Sequence, residues 1–142
     1  MARILALDVG SKRIGLAVSD ELGVIATPRG ALQRRSYNKD AAAIDELLHD
    51  LDAARIVVGL PTGLSGRPTE QTKRVERFAA MLASRVSVPV DLWDERLTTA
   101  MARSTGQISN QDRRTGRLDA LAAAYILQSY LDRRAMSSSF SS

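Results

Sequence analysis

The apolar positions of this chain fall into short runs near the start and into helical stripes further on. Residues 2–9 and 13–19 are Ile/Leu/Val/Ala runs divided by Gly10-Ser11-Lys12, which predicts two strands and a tight turn. A second turn at Asp20-Glu21-Leu22-Gly23 leads into a weaker strand around Val24–Leu32, and Pro28, which cannot donate to a ladder, demotes that strand to an edge. Ile44, Leu47, Leu48 and Leu51 then recur at i, i+3, i+4 and i+7, the stripe of an amphipathic helix over Asp40–Leu51. Arg55–Leu60 reads as a buried strand ending in Gly59-Leu60-Pro61, followed by a Gly-containing loop over Thr62–Gly66. Pro68 and Thr69 open a helix carrying Val75, Phe78, Ala79 and Leu82 on one side. Val86–Trp93 gives a fifth strand, Thr98–Thr105 a short helix, and Leu118–Arg133 a long final helix after a polar loop. No internal repeat interrupts this order.

Such an order predicts an α/β fold with a five-stranded mixed sheet: an antiparallel meander of three strands, then strands entered through helices and parallel to the first, all flanked by helices. The C-terminal ends of strands one, four and five then lie at one edge, where ligands bind in open α/β sheets. Asp8 closes the run ARILALD, Asp94-Glu95 closes VPVDLWDE, and the Gly59–Gly66 loop leaves strand four, so all three converge there. Residues 1–135 form one domain, and the Ser-rich tail 136–142 lacks core-forming side chains and is expected to be disordered.

With 142 residues, 44% hydrophobic and 25% charged, the chain has the composition of a water-soluble globular domain. The absence of Cys removes disulfides and thiolate chemistry, and the start goes straight into a strand pattern, so a cytoplasmic location with no membrane role is expected. The net charge of +4 is carried mostly by Arg in three groups. Arg29, Arg34, Arg35 and Lys39 form the first; Arg67, Lys73, Arg74 and Arg77 the second; Arg96, Arg103, Arg113, Arg114 and Arg117 the third. A guanidinium can grip two phosphate oxygens at once, so a polyanionic partner competes on even terms with a merely solvated basic surface. From these groups and the first turn, the candidate nucleic-acid contacts are Ser11, Lys12, Arg13, Arg67, Arg96, Arg113, Arg114 and Arg117, with Tyr37 a candidate for stacking on a base.

Asp119 lies in the helical pattern LDALAAAYILQSYL, and at about 100° per residue its face is shared by Ala122, Ala123, Ile126 and Tyr130. An inward acid is costly unless paired or bound to a cation. An ion pair with Arg117 or Arg96 is the structural alternative. Asp8 extends the buried row of Ile4 and Ala6 or caps the turn at Gly10 and Ser11. Glu95 is either a third member of the cluster or an exposed residue after a strand, with Asp94 on the other face. Brought together, Asp8, Glu95 and Asp119 repel unless one or two Mg²⁺ or Mn²⁺ ions neutralise them, and such ions hydrolyse phosphodiesters. His49, the sole histidine, lies off the apolar stripe and reads as a surface residue. Trp93 and Tyr130 are assigned to the core. Gly15 permits a close approach, of either substrate or the last helix.

Four segments carry a family resemblance: Asp8-Val9-Gly10-Ser11-Lys12-Arg13-Ile14-Gly15; Gly59-Leu60-Pro61 with Gly66; Asp94-Glu95-Arg96-Leu97-Thr98-Thr99; and Arg117-Leu118-Asp119 with Ala122-Ala123. In this order they resemble the YqgF (RuvX) family over nearly the whole chain. The resemblance implies an RNase H-like fold related to RuvC Holliday junction resolvases, with acids at Asp8, Glu95 and Asp119 as the metal-binding catalytic set. It also implies a bacterial cytoplasmic protein that acts on the 5′ end of pre-16S rRNA, or on branched DNA. Arg117 departs from the pattern, since many members carry Lys there. An ATP-dependent phosphotransferase, suggested by Asp8-Val9-Gly10-Ser11, and a non-catalytic RNA-binding module are the rival functions. A homodimer is left open.

Overall fold

The computed structural model describes residues 2–61, 67–95 and 116–141; for Glu95 and for residues 137–141 the backbone alone is described. The two apolar runs at the start form β1 (Arg3–Val9) and β2 (Arg13–Ser19), paired antiparallel with Asp8 opposite Gly15. β3 (Ala26–Gln33) adds antiparallel to β2 and is the edge strand, and a register shift opposite Gly15–Ala17 absorbs Pro28. β4 (Ala53–Pro61) and β5 (Val90–Glu95) join parallel on the other side, giving the order β3-β2-β1-β4-β5. The expected mixed sheet is therefore present.

Strand alternation sends the two faces of this sheet to different helices. Leu5, Leu7, Val9, Ile14, Leu16, Ile56 and Val58 face α1 (Tyr37–Leu51) and α2 (Glu70–Ala83), whose stripes bury Ile44, Leu48, Val75, Phe78 and Leu82. Ile4, Ala6, Ala17 and Val57 face the long helix α3 (Arg117–Ser141) through Ala123, Ile126, Leu127 and Tyr130. Asp8 has the parity of Ile4 and Ala6, so it belongs to the α3 side.

Three boundaries differ from expectation, each for a local reason. α1 begins at Tyr37 rather than Asp40 because the Ser36 side chain caps it, accepting from the Lys39 amide at 3.2 Å. β5 begins at Val90 rather than Val86: Pro89 has no N–H to give a ladder, although its carbonyl accepts from Ile56 at 2.9 Å. Val86 and Val88 are instead loop residues packed on the core. α3 continues past Arg133 to Ser141, because no Gly or Pro interrupts the helix there. The expected helix Thr98–Thr105, the polar loop after it and the Thr62–Gly66 loop lie outside the described residues. His49 is exposed, 3.7 Å from Asp45 one turn earlier. Among the described residues no helix is long and apolar enough to cross a membrane.

The β2–β3 connection depends on one carboxylate. Asp20 Oδ1 accepts from the amides of Val24 at 2.8 Å and Ile25 at 3.0 Å, and these bonds hold its pKa below the ordinary 3.8. A depressed acid contributes stability above its unfolded value and loses it as pH falls through the folded value. An NMR titration is therefore expected to give Asp20 a midpoint below 3.8, with the Val24 and Ile25 amide shifts following it; a midpoint at or above 3.8 would mean the turn bonds are absent in solution.

Candidate active site

Gly15 brings two of the predicted acids together. A Cβ placed on it would lie 1.9 Å from the backbone oxygen of Asp119 and 2.9 Å from the Asp119 Cβ, so only a glycine lets α3 cross β2 at this point. Asp8 is directly across the ladder from Gly15. Paired residues of antiparallel strands have Cα atoms roughly 4.5–5.5 Å apart, which sets the Asp8 and Asp119 backbones within about 10 Å of one another. Both carboxylates are half-buried at the same end of the sheet. Of the two readings of Gly15, approach of the last helix is the one observed.

Arg13 supplies the cation at this junction. Its Nε donates to Asp119 Oδ2 at 2.9 Å, with about a quarter of each side chain exposed. Asp119 is thus paired with an arginine 106 positions away, which the sequence analysis did not nominate. Arg117 is exposed at the start of α3, two residues before Asp119, and Ser11 and Lys12 are exposed in the turn after Asp8. Arg67 is exposed just before α2, on the other side of the sheet from α3. Arg96, Arg113 and Arg114 lie outside the described residues.

Glu95 ends β5, in register with Pro61 of β4, and position 95 has the parity of Asp91 and Trp93. Those two residues meet α3: Trp93 Nε1 donates to Ser129 Oγ at 3.2 Å and the Tyr130 hydroxyl donates to Asp91 Oδ2 at 3.1 Å. The Trp93 and Tyr130 rings pack edge-on at 5.5 Å, as expected of core residues. Arg55 closes the group on Asp91, a bond that raises the already high pKa of its guanidinium. Burial, and then the Asp91 carboxylate, push the Tyr130 phenol above its ordinary value of 10, so it stays a neutral donor. This network was hidden in the sequence because Arg55 and Asp91 sit inside apolar strands and pair across them.

Among the described side chains no three acids or histidines gather closely enough to hold a metal ion, and Glu95 is not one of those side chains. What the described residues offer is two half-buried acids on neighbouring stretches of backbone, with a guanidinium neutralising Asp119. Hard oxygen ligands of this kind suit Mg²⁺ or Mn²⁺.

The sequence reading selected neither Arg34 nor Arg74 as a contact, yet both line a polar cavity of about 330 Å³ beside Gly10 and Ser11. A signal for Arg34 exists: it directly follows β3, and the β2–β3 pairing carries it back to the first turn, where its amide donates to the Lys12 carbonyl at 2.9 Å. Tyr37, the stacking candidate, is half-exposed and edge-on to Phe78 at 6.2 Å.

A sheet of this order, with the last helix crossing its second strand, is that of an RNase H-like fold. Solved structures agree: RuvC of Thermus thermophilus bound to a Holliday junction aligns with a TM-score of 0.59 at 16% identity, covering 95% of this chain and 96% of RuvC. The fowlpox virus Holliday junction resolvase aligns at 0.52 with 13% identity over 92% and 99%. More specifically, the family model described as "RuvX: Holliday junction resolvase" matches residues 2–133, and the chain belongs to that family. Relatives named "Putative pre-16S rRNA nuclease" include one from Koribacter versatilis, 42% identical over 134 residues (93% of this chain, 88% of the relative). Another, from Desulforudis audaxviator, is 43% identical over 134 residues (93% and 95%).

Proposed function

We propose that this chain is a divalent-metal-dependent nuclease that hydrolyses phosphodiester bonds of structured nucleic acid and trims the 5′ end of pre-16S rRNA. The observation that carries the proposal is the crossing of α3 over Gly15, which brings the Asp119 backbone close to the strand position opposite Asp8, in a member of the RuvX family. Asp8, Glu95 and Asp119 would hold Mg²⁺ or Mn²⁺, which when bound supplies an activated water and stabilises the leaving oxygen. Asp119 is kept in place by its bond to Arg13. Arg13 and Arg117, flanking that carboxylate, orient the backbone phosphate and spread the charge that develops on it. Ser11 and Lys12 offer a hydroxyl and an ammonium to the neighbouring phosphate.

The name carried by the relatives favours ribosomal RNA as substrate, and the family description favours a four-way DNA junction. Incubating the protein with a pre-16S 5′-leader RNA and with a junction, with Mg²⁺, Mn²⁺ or EDTA, separates them. Cleavage of the RNA that stops in EDTA is expected. Cleavage persisting in EDTA would overturn the mechanism, cleavage of the junction alone would move the substrate to branched DNA, and RNA binding with no cleavage at all would leave a binding module. Binding is also expected to weaken steeply between 50 and 200 mM salt, each phosphate contact to a single strand adding about 0.7 to the slope of log K against log salt. A flat profile would remove the arginines from the interface.

A further inference from the structure

Val9, Gly10, Ser11, Arg34, Gln71, Arg74 and Val75 enclose the cavity noted above. It lies on the far side of the β1–β2 turn from Asp119, since Val9 faces α1 and α2 while Asp8 has the opposite parity. Its described lining contains two guanidiniums, a hydroxyl and a carboxamide, and no carboxylate. Arg34 is built in: its Nη1 donates to the Gly10 carbonyl at 3.0 Å, its Nε lies 3.7 Å from the buried Asp40 carboxylate, and its guanidinium rests 5.1 Å from the centre of the Phe78 ring. Asp40 is in turn fixed by the Arg35 amide at 3.1 Å. A guanidinium has five N–H donors, so these contacts fix the fork and still leave it donors. Arg74 is exposed on α2 and, among the described residues, makes no hydrogen bond or ion pair, while Lys73 beside it takes Glu70 at 3.9 Å. Gln71 is in the first turn of α2, whose free amides and dipole add positive potential at the same place.

A rigid donor, an exposed guanidinium without a partner among the described residues and a hydroxyl around a small polar cavity recognise a phosphate group. We infer that this cavity is a second phosphate site, which holds an uncleaved backbone phosphate of the bound strand as it passes over the β1–β2 turn. The inference rests on the nuclease reading for the strand it names. With Gly10 and Ser11 at its wall and Asp8 at the end of the same strand, a phosphate held here fixes the register of the scissile bond.

The test is equilibrium binding, by fluorescence anisotropy in EDTA, of a single-stranded RNA to the full chain, its Arg74→Ala and Arg34→Gln variants, and Arg85→Ala at the other end of α2. Calorimetry with ATP and with inorganic phosphate runs alongside. Arg74→Ala is expected to weaken RNA binding about tenfold and to lower the salt slope by about 0.7, while Arg85→Ala leaves both unchanged. Arg34→Gln is expected to weaken RNA binding in the same direction. Equal losses in Arg74→Ala and Arg85→Ala would reduce the effect to general charge and overturn the site. Arg74-dependent binding of ATP or phosphate with RNA binding intact would assign the cavity to a free phosphate and overturn the strand assignment. Wild-type protein that binds no RNA would defeat the nuclease reading itself, and this assignment with it.

Discussion

Gly15→Ala is expected to lower stability by about 3 kcal/mol, the upper part of the range for overpacking, and the melting temperature by roughly 10 °C. The added methyl would occupy the space of the Asp119 backbone, 1.9 Å from its oxygen and 2.3 Å from its carbonyl carbon, and a helix backbone cannot turn aside as a side chain can. α3 must lift from β2, giving up contacts made by Ala123, Ile126 and Leu127. Because Asp119 moves with it, cleavage should fall as well, and a displacement near 1 Å is enough for about a hundredfold loss. Gly30→Ala is the control: φ is +77° there with nothing within 4 Å, so only the left-handed backbone is penalised, by about 1–2 kcal/mol. Thermal denaturation followed by circular dichroism distinguishes the two. A Gly15→Ala protein that melts within about 2 °C of wild type, a shift worth well under 1 kcal/mol, would mean that α3 does not cross here as described.

Asp8→Asn and Asp119→Asn are expected to reduce metal-dependent cleavage by more than about a hundredfold, since even outer residues around a bound metal are worth 10–100-fold. Folding should barely change. In Asp119→Asn the amide keeps an oxygen that can still accept from Arg13 Nε. Measuring cleavage and melting temperature on the same preparations separates chemistry from stability. Variants that lose activity only in proportion to a lowered melting temperature would return both acids to a structural role.

Much of the fold was legible because its periodicities are local. The apolar runs in residues 2–9 and 13–19 report strands buried on both faces, and the stripes Ile44-Leu48-Leu51 and Val75-Phe78-Leu82 each report a helix face that is in fact buried. Parity alone put Asp8 in the row of Ile4 and Ala6, and so on the α3 side. What escaped the sequence is pairing at long range. The spacing around Asp119 shows that it needs a cation and says nothing of which one, so the near neighbours Arg117 and Arg96 were nominated and Arg13, 106 positions away, was not. Arg34 was visible only as one charge in a basic stretch; its tie to Gly10 requires the β2–β3 register. The start of β5 was misplaced because Val86 and Val88 supply apolar side chains without supplying a ladder.

Titration of metal-free protein with Mn²⁺, followed by electron paramagnetic resonance of the free ion, tests most directly whether Asp8, Glu95 and Asp119 form one site. The wild type is expected to take up Mn²⁺, and Asp8→Asn, Glu95→Gln and Asp119→Asn each to weaken that uptake by at least about tenfold. A Glu95→Gln protein that binds Mn²⁺ as tightly as the wild type would contradict a shared site.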